Sequence, residues 1–290
     1  MSMPRDIEII DLMLAIPTSE KSNYYDFIKP LLMDEESRQM FQMPAQYMFK
    51  DIPDTGKQDD YLAYTIGKMD EFNISRAMVG VDEGQYGLQN EAVLKHPDRF
   101  FASYECNPNN GMEEVRKIRR LKEQYDIKAV TAFPAGLCPQ VSLDDKRWYP
   151  IFVACIDLGI PFCPCVGVPG PRIPMEPQKV EHLDEICWFF PELKVVMRHG
   201  AEPWTDLAWK LMLKYPNLYY MTSAFAPRHY PESIVNFANT RGADKIMYAG
   251  YFPMGLSLER IFKDMPGVPF KEEVWPKFLH DNAVRVFGLS

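Results

Sequence analysis

Eight short apolar segments, each followed by a helical pattern or an insertion, constrain this chain more than any other feature. They fall at 7–15, 76–81, 99–106, 127–133, 160–166, 193–197, 217–223 and 245–251. Stretches of helical character lie at 57–72, 88–96, 112–125, 146–158, 180–190, 204–215 and 231–240, with two more at 256–263 and 272–287. Strands covered on both faces read as near-continuous apolar runs, and strands alternating with helices build a parallel sheet. Eight such units close into a barrel. The expected fold is α/β, a distorted (β/α)8 TIM barrel with a flap inserted after strand 1. No clear linker divides the chain, so one domain is expected over 1–290.

The insertion at 16–56 is irregular and dense in aromatics and methionines: Tyr24, Tyr25, Phe27, Met40, Phe41, Met43, Tyr47, Met48 and Phe49. Long structured loops in compact domains tend to be functional, and Met-rich surfaces adapt to partners. The segment is read as a lid over a site, an oligomer contact, or a flap packed locally on the barrel. Composition narrows the remaining classes. With 47% hydrophobic and 25% charged residues the chain has enough apolar material for a core, which excludes disorder. A net charge of −8 leaves no basic footprint for nucleic acid. No apolar run approaches the roughly 20 residues of a membrane span. The N-terminal MSMPRDIEIID lacks a signal-peptide core, and Cys106, Cys138, Cys155, Cys163, Cys165 and Cys187 have no framework spacing. The expectation is a cytoplasmic protein with free thiols, binding neither nucleic acid nor membrane.

Barrels of this kind build their sites from the carboxyl ends of the strands. Those ends offer Met13 and Ala15, Asp82 and Glu83, Glu105 and Asn107, Thr131 and Phe133, Cys163 and Cys165, Arg198 with His199 and Glu202, Thr222 and Ser223, and Tyr251. The sixth is the most informative. In LKVVMRHGAEPW, at 193–204, the buried run stops on Arg198 and His199, Gly200 turns the backbone, and Pro203 stands where a helix would begin. A titratable imidazole in that place is a candidate acid or base, the alternative being a histidine satisfied in a crowded loop.

The order and spacing of IIDLMLAIP, DDKRWYPIFVACIDLGIPFCPCVG, LKVVMRHGAEPW, KYPNLYYMTS, DKIMYAGYFP and FLHDNAVRVFG resemble the amidohydrolase-related family, in its aminocarboxymuconate-semialdehyde-decarboxylase-like branch. The resemblance implies a metal held by a His-x-His pair after an aspartate on the first strand, a histidine on the fifth, a histidine on the sixth and an aspartate on the eighth. Carried over by position, Asp11 matches the first aspartate and His199 the sixth-strand histidine. The pair falls on Met13 and Ala15, the fifth-strand histidine on Cys165, and the eighth-strand aspartate on Tyr251, ahead of Phe252 and Pro253. Thioether and methyl groups do not replace imidazoles on a hard or borderline metal, so no metal and no cofactor are expected.

The family implies a hydrolase or lyase on a small carboxylated cyclic or aromatic substrate, here metal-independent. His199 is the candidate acid or base, with Glu105 orienting it or sharing the proton work. Arg172, on a loop stiffened by four prolines (VPGPRIPMEP), Arg198, Ser223, Arg228 beside His229, Tyr251 and Cys165 are candidate substrate-binding groups. Two rival readings use the Cys163-Pro164-Cys165 step: a soft-metal or redox site with His199, or Cys165 as a nucleophile activated by that histidine. A third makes the chain a non-catalytic partner of an active relative. A homodimer or a pairing with a related subunit is expected.

Overall fold

The structure, a computed structural model, describes residues 3–4, 6–18, 26–39, 45–84 and 87–289. Eight strands form one sheet in sequence order: β1 (Ile9–Asp11), β2 (Ile74–Gly80), β3 (Phe100–Glu105), β4 (Ala129–Ala132), β5 (Phe162–Pro164), β6 (Val195–Met197), β7 (Leu218–Met221) and β8 (Ile246–Met247). Every neighbouring pair is parallel, with registers such as Ala77 opposite Phe100 and Met197 opposite Tyr220. Closure between β8 and β1 rests on a bridge from Leu14 to Phe252 and on hydrogen bonds from Leu12 N–H to Tyr248 O (3.4 Å) and Ala15 N–H to Phe252 O (2.9 Å). The architecture is a (β/α)8 TIM barrel.

The helices around it are α1 (Glu35–Arg38), α2 (Tyr61–Glu71), α3 (Gly87–Lys95), α4 (Met112–Tyr125), α5 (Tyr149–Asp157), α6 (His182–Phe189), α7 (Thr205–Lys214), α8 (Glu232–Ala238), α9 (Leu258–Asp264), α10 (Val274–Pro276) and α11 (Asn282–Phe287). Their starts follow local chemistry. Asp60 caps α2 by accepting from the N–H groups of Leu62 and Ala63, both at 2.9 Å. Asp126 ends α4 in the left-handed conformation, at φ 48°. Among the described residues no helix is long and apolar enough to cross a membrane.

Period-two alternation divides the core in two. Side chains facing outward join the helices in the larger cluster, while Ile10, Leu12, Met78, Phe101, Ala129, Cys163, Val196, Met221 and Met247 fill the barrel. Ala283, Val286, Phe287 and Leu289, from α11 and just beyond it, pack against these and stop the amino-terminal end.

The first and last strands are much shorter than the sequence suggests, for one shared reason. The apolar run at 7–15 is strand only over Ile9–Asp11, because the Asp11 carboxylate accepts the Met13 N–H at 2.9 Å and bends the chain. The run at 245–251 is strand only over Ile246–Met247. Gly250 N–H goes to the same carboxylate (2.8 Å), and Tyr248 N–H goes to Phe278 O (2.8 Å). The expected single helix at 272–287 is instead α10, a π-turn at Lys277–Asp281 and α11. Side chains from this stretch hold the entry to β8: Asn282 donates to Ala243 O (2.7 Å) and Ile246 O (3.0 Å), and Arg285 to Asp244 O (2.6 Å).

Candidate active site at the mouth of the barrel

The carboxyl end of β6 departs most from regular backbone. Arg198 continues the strand, bridged to Cys165, with its N–H on Pro164 O (2.9 Å) and its carbonyl taking Val166 N–H (3.1 Å). His199, Gly200 and Ala201 then adopt positive φ in succession, at 63°, 85° and 58°. Gly200 is required there, since a Cβ would stand 2.2 Å from the Phe225 ring. A left-handed non-glycine residue persists only where its surroundings fix it, and such residues cluster at functional sites. Here the Ser223 hydroxyl does the fixing: it accepts His199 N–H at 3.0 Å and lies 3.3 Å from His199 Nδ1. The His199 ring meets Tyr251 edge-on, centroids 5.7 Å apart. Burial first, then the neighbouring Arg198 charge, pull its pKa down to about 3, so the imidazole is neutral.

Arg198 lies inside the mouth. It is 7% exposed. Its Nη2 sits 3.9 Å from the Met13 sulfur, and its Nη1 is 3.5 Å from Glu105 Oε2 without a hydrogen bond to any described residue. Burial pushes the Cys163 and Cys165 thiols up to about 12, although the Arg198 charge pulls the other way. Asp11, fully buried between β1 and β8, accepts from Met13 and Gly250 N–H and lies 3.3 Å from Tyr248 Oη. Desolvation raises its pKa to about 6 against the effect of those bonds.

The flanking segments close over these groups. Phe49 stacks on Tyr251 at 5.5 Å and Phe27 meets Phe133 at 6.4 Å. Gly255 makes room for Phe49, whose Cδ1 is 2.7 Å from where a Cβ would sit. Tyr24, Tyr25, Met40, Phe41 and Met43 of the same insertion lie outside the described residues.

The structure thus brings together His199, Arg198, Glu105, Ser223, Tyr251 and Cys165. Glu105 pairs with Arg198, which makes it a partner of the cation where the sequence suggested a partner of the imidazole. Arg172 and Arg228 stay apart from this group. Arg172 binds Asp34 (3.1 Å) and Glu36 (2.8 Å) and covers the Tyr47 ring at 5.0 Å, tying the insertion to the proline-rich loop. Arg228 donates to the adjacent His229 and lies 3.7 Å from Asp264 at the end of α9. Sequence reasoning had no role for Asp11 beyond a family match, nor for Phe49 beyond its place in an aromatic-rich stretch. Gly250 beside the buried aspartate was the available signal for the first. A cavity of about 610 Å³ opens at the opposite end of the barrel, near Arg76 and Arg99, away from all of these residues.

A divalent metal does not fit the donors at the mouth. Among the described residues no three His, Cys, Asp or Glu side chains converge to hold one. Met13 offers a thioether, the Cys165 thiol is held protonated by burial, and the buried guanidinium puts a fixed positive charge where a cation would have to enter.

The fold is a (β/α)8 barrel with polar residues gathered at the carboxyl ends of its strands, the end at which such barrels carry their sites. The sequence model of the amidohydrolase family matches residues 63–289, and the chain belongs to that family. No curated protein matches. Among solved structures, an uncharacterized TIM-barrel protein from Bordetella bronchiseptica superposes with a TM-score of 0.72 at 21% identity, over 98% of this chain and 99% of that one. 2,6-Dihydroxybenzoate decarboxylase from Rhizobium gives 0.67 at 14%, over 98% and 99%. 5-Carboxyvanillate decarboxylase from Novosphingobium aromaticivorans, complexed with manganese and 4-hydroxy-3-methoxy-5-nitrobenzoic acid, gives 0.66 at 18%, over 98% and 97%.

Proposed function

We propose that the chain is an amidohydrolase-fold lyase that removes carbon dioxide from a small carboxylated ring without a divalent metal, His199 moving the proton. The observation that carries this reading is a neutral imidazole, held by Ser223, next to a buried guanidinium at the ends of β6 and β7. Loss of carbon dioxide from an aromatic acid requires a proton on the ring carbon and a sink for the electrons of the breaking bond. A substrate carboxylate offsets the Arg198 charge that adds to burial in lowering the imidazole's pKa, so His199 can take the proton of a ring hydroxyl and return it to the ring carbon. The carbon–carbon bond then breaks, its electron pair restores the ring, and the phenolate product takes a proton from solvent. Tyr251 supplies a flat wall for the ring. The decarboxylases among the structural neighbours support the substrate class by fold alone.

The test is turnover of a panel of hydroxylated benzoates, read by the change in ring absorbance, for the wild-type chain, H199N and H199A. Positioned proton transfer supplies about 10²- to 10⁴-fold, so both variants are expected to lose that much rate with an unchanged melting temperature. Full activity in H199N, accompanied by a lower melting temperature, would make the histidine structural. One observation favours a second reading, in which the chain is a non-catalytic partner of an active relative. Among the described residues no three metal-ligating side chains converge at the mouth. Wild-type protein that binds these acids but never turns one over is the result that supports it.

A further inference from the structure

The mouth holds a positive charge that its surroundings do not satisfy. The Arg198 guanidinium is buried, and among the described residues its Nη1 donates no hydrogen bond and its Nη2 meets the Met13 thioether, a weak acceptor, at 3.9 Å. A buried charge is costly unless an ionic partner and hydrogen bonds meet it. The one carboxylate near it, Glu105, stops at 3.5 Å and has a side chain 47% exposed, so water competes for it. The main chain of Arg198 is held in place by its bond to Pro164 of β5 and by the bond it accepts from Val166 just beyond. The groups around its charge are Cys163, Cys165, Glu105, Tyr251 and the adjacent His199, and burial keeps both thiols protonated. A buried five-donor fork whose Nη1 is open suits a planar carboxylate, which takes two parallel hydrogen bonds from it. Beside it the Tyr251 ring, stacked on Phe49 and edge-on to His199, gives the mouth an aromatic lining suited to a flat group attached to that carboxylate.

We propose that Arg198 is the carboxylate-binding centre of the mouth, standing where a divalent ion would otherwise be needed, and that a ring-borne carboxylate seats on its open N–H groups by displacing Glu105 toward solvent. The assignment rests on the reading that the ligand is a small carboxylated ring, and it concerns binding alone. The roles then divide cleanly. Arg198 holds the anion, Glu105 is the partial counterion of the empty site, and His199, Ser223 and Tyr251 face the remainder of the ring.

The experiment is calorimetric titration of the full chain, dialysed against chelator and assayed for residual metal, with benzoate and with its neutral analogue benzamide. Benzoate is expected to bind and benzamide not. R198M is expected to weaken benzoate by at least about 30-fold, as removing one partner of a buried charge pair does. R198K, which keeps the charge and loses the fork, is expected to fall between, and it covers the case in which R198M fails to fold. E105Q is expected to bind benzoate more tightly than wild type, because the competing carboxylate is gone. Equal affinity in wild type, R198K and R198M overturns the proposal, as does binding that appears only when a divalent metal is restored. Weaker binding in E105Q overturns the displacement of Glu105. None of these readouts uses turnover. Arg198-dependent binding with full activity in H199N would sink the proton-transfer reading alone. An H199N rate loss without Arg198-dependent binding would sink this assignment alone.

Discussion

Replacing Asp11 by asparagine should stabilise the protein at neutral pH. The carboxylate is fully buried, and one oxygen, Oδ1, accepts both main-chain donors, Met13 at 2.9 Å and Gly250 at 2.8 Å, while Oδ2 faces Tyr248 Oη at 3.3 Å. An asparagine can keep its carbonyl on the two N–H groups and turn its amide toward the tyrosine oxygen, so the geometry survives and the charge goes. Burial raises the pKa of Asp11 from 3.8 to about 6. The folded state therefore holds its proton more tightly than the unfolded chain does. Stability from this group is complete below about pH 4 and is lost as pH rises through about 6. At about 1.4 kcal/mol per pH unit the gap amounts to about 3 kcal/mol. The weaker acceptor strength of an amide offsets part of it, leaving an expected gain of about 1 to 3 kcal/mol for D11N at pH 8. Urea unfolding of both proteins from pH 4 to 8 reads the difference directly, and the other titrating groups cancel between them. The two curves should converge near pH 4. If D11N is less stable than wild type at pH 8, or the difference between them does not change with pH, the charge of Asp11 is compensated by something other than the contacts described, and the reasoning fails.

Two further outcomes follow from the same structure. G250A places a methyl 2.6 Å from Asp11 Oδ2, so it should lower stability by about 1 to 3 kcal/mol; a melting temperature equal to wild type would show that β1 and β8 can part there without cost. R172A removes the tie between the proline-rich loop and Asp34, Glu36 and Tyr47, so trypsin should cut within residues 26–53 faster than in wild type while the melting temperature hardly moves.

Much of the barrel was legible because β2 to β7 are apolar on both faces and each has helical neighbours, a pattern that few other folds accommodate. The ends of β1 and β8 were not, since they are set by one side chain reaching across the closure, and a strand run does not reveal that its aspartate will accept from Met13 and Gly250. The site divides in the same way. The end of β6 was recognisable from Arg198, His199 and Gly200, while the face Arg198 takes, that of Val196 inside the barrel, comes from the structure. That His199 would nevertheless stay beside the mouth depends on its left-handed backbone and on Ser223, a contact from the next strand. The distance that joins Glu105 to Arg198 spans the barrel, and no local pattern encodes it. For Arg172, the stiff loop was readable but the direction it faces was not, because its acidic partners sit in the irregular insertion.

The stretch from the π-turn to α11 has a consequence for how the chain acquires its shape during synthesis. Tyr248 finds its acceptor on Phe278, and the carbonyls of Ala243, Asp244 and Ile246 find donors on Asn282 and Arg285. A nascent chain whose residues 278–285 are still inside the ribosome would have all eight strands translated and yet lack the partners that order the last of them. Ile246 and Met247 would then remain at an open edge, with unpaired main-chain groups available to a neighbouring chain. A ribosome pausing once β8 has left its exit tunnel, with residues 278–285 still inside, would hold the protein in an aggregation-prone form, so translation speed at that stage should influence yield more than an equal change of speed upstream of β2.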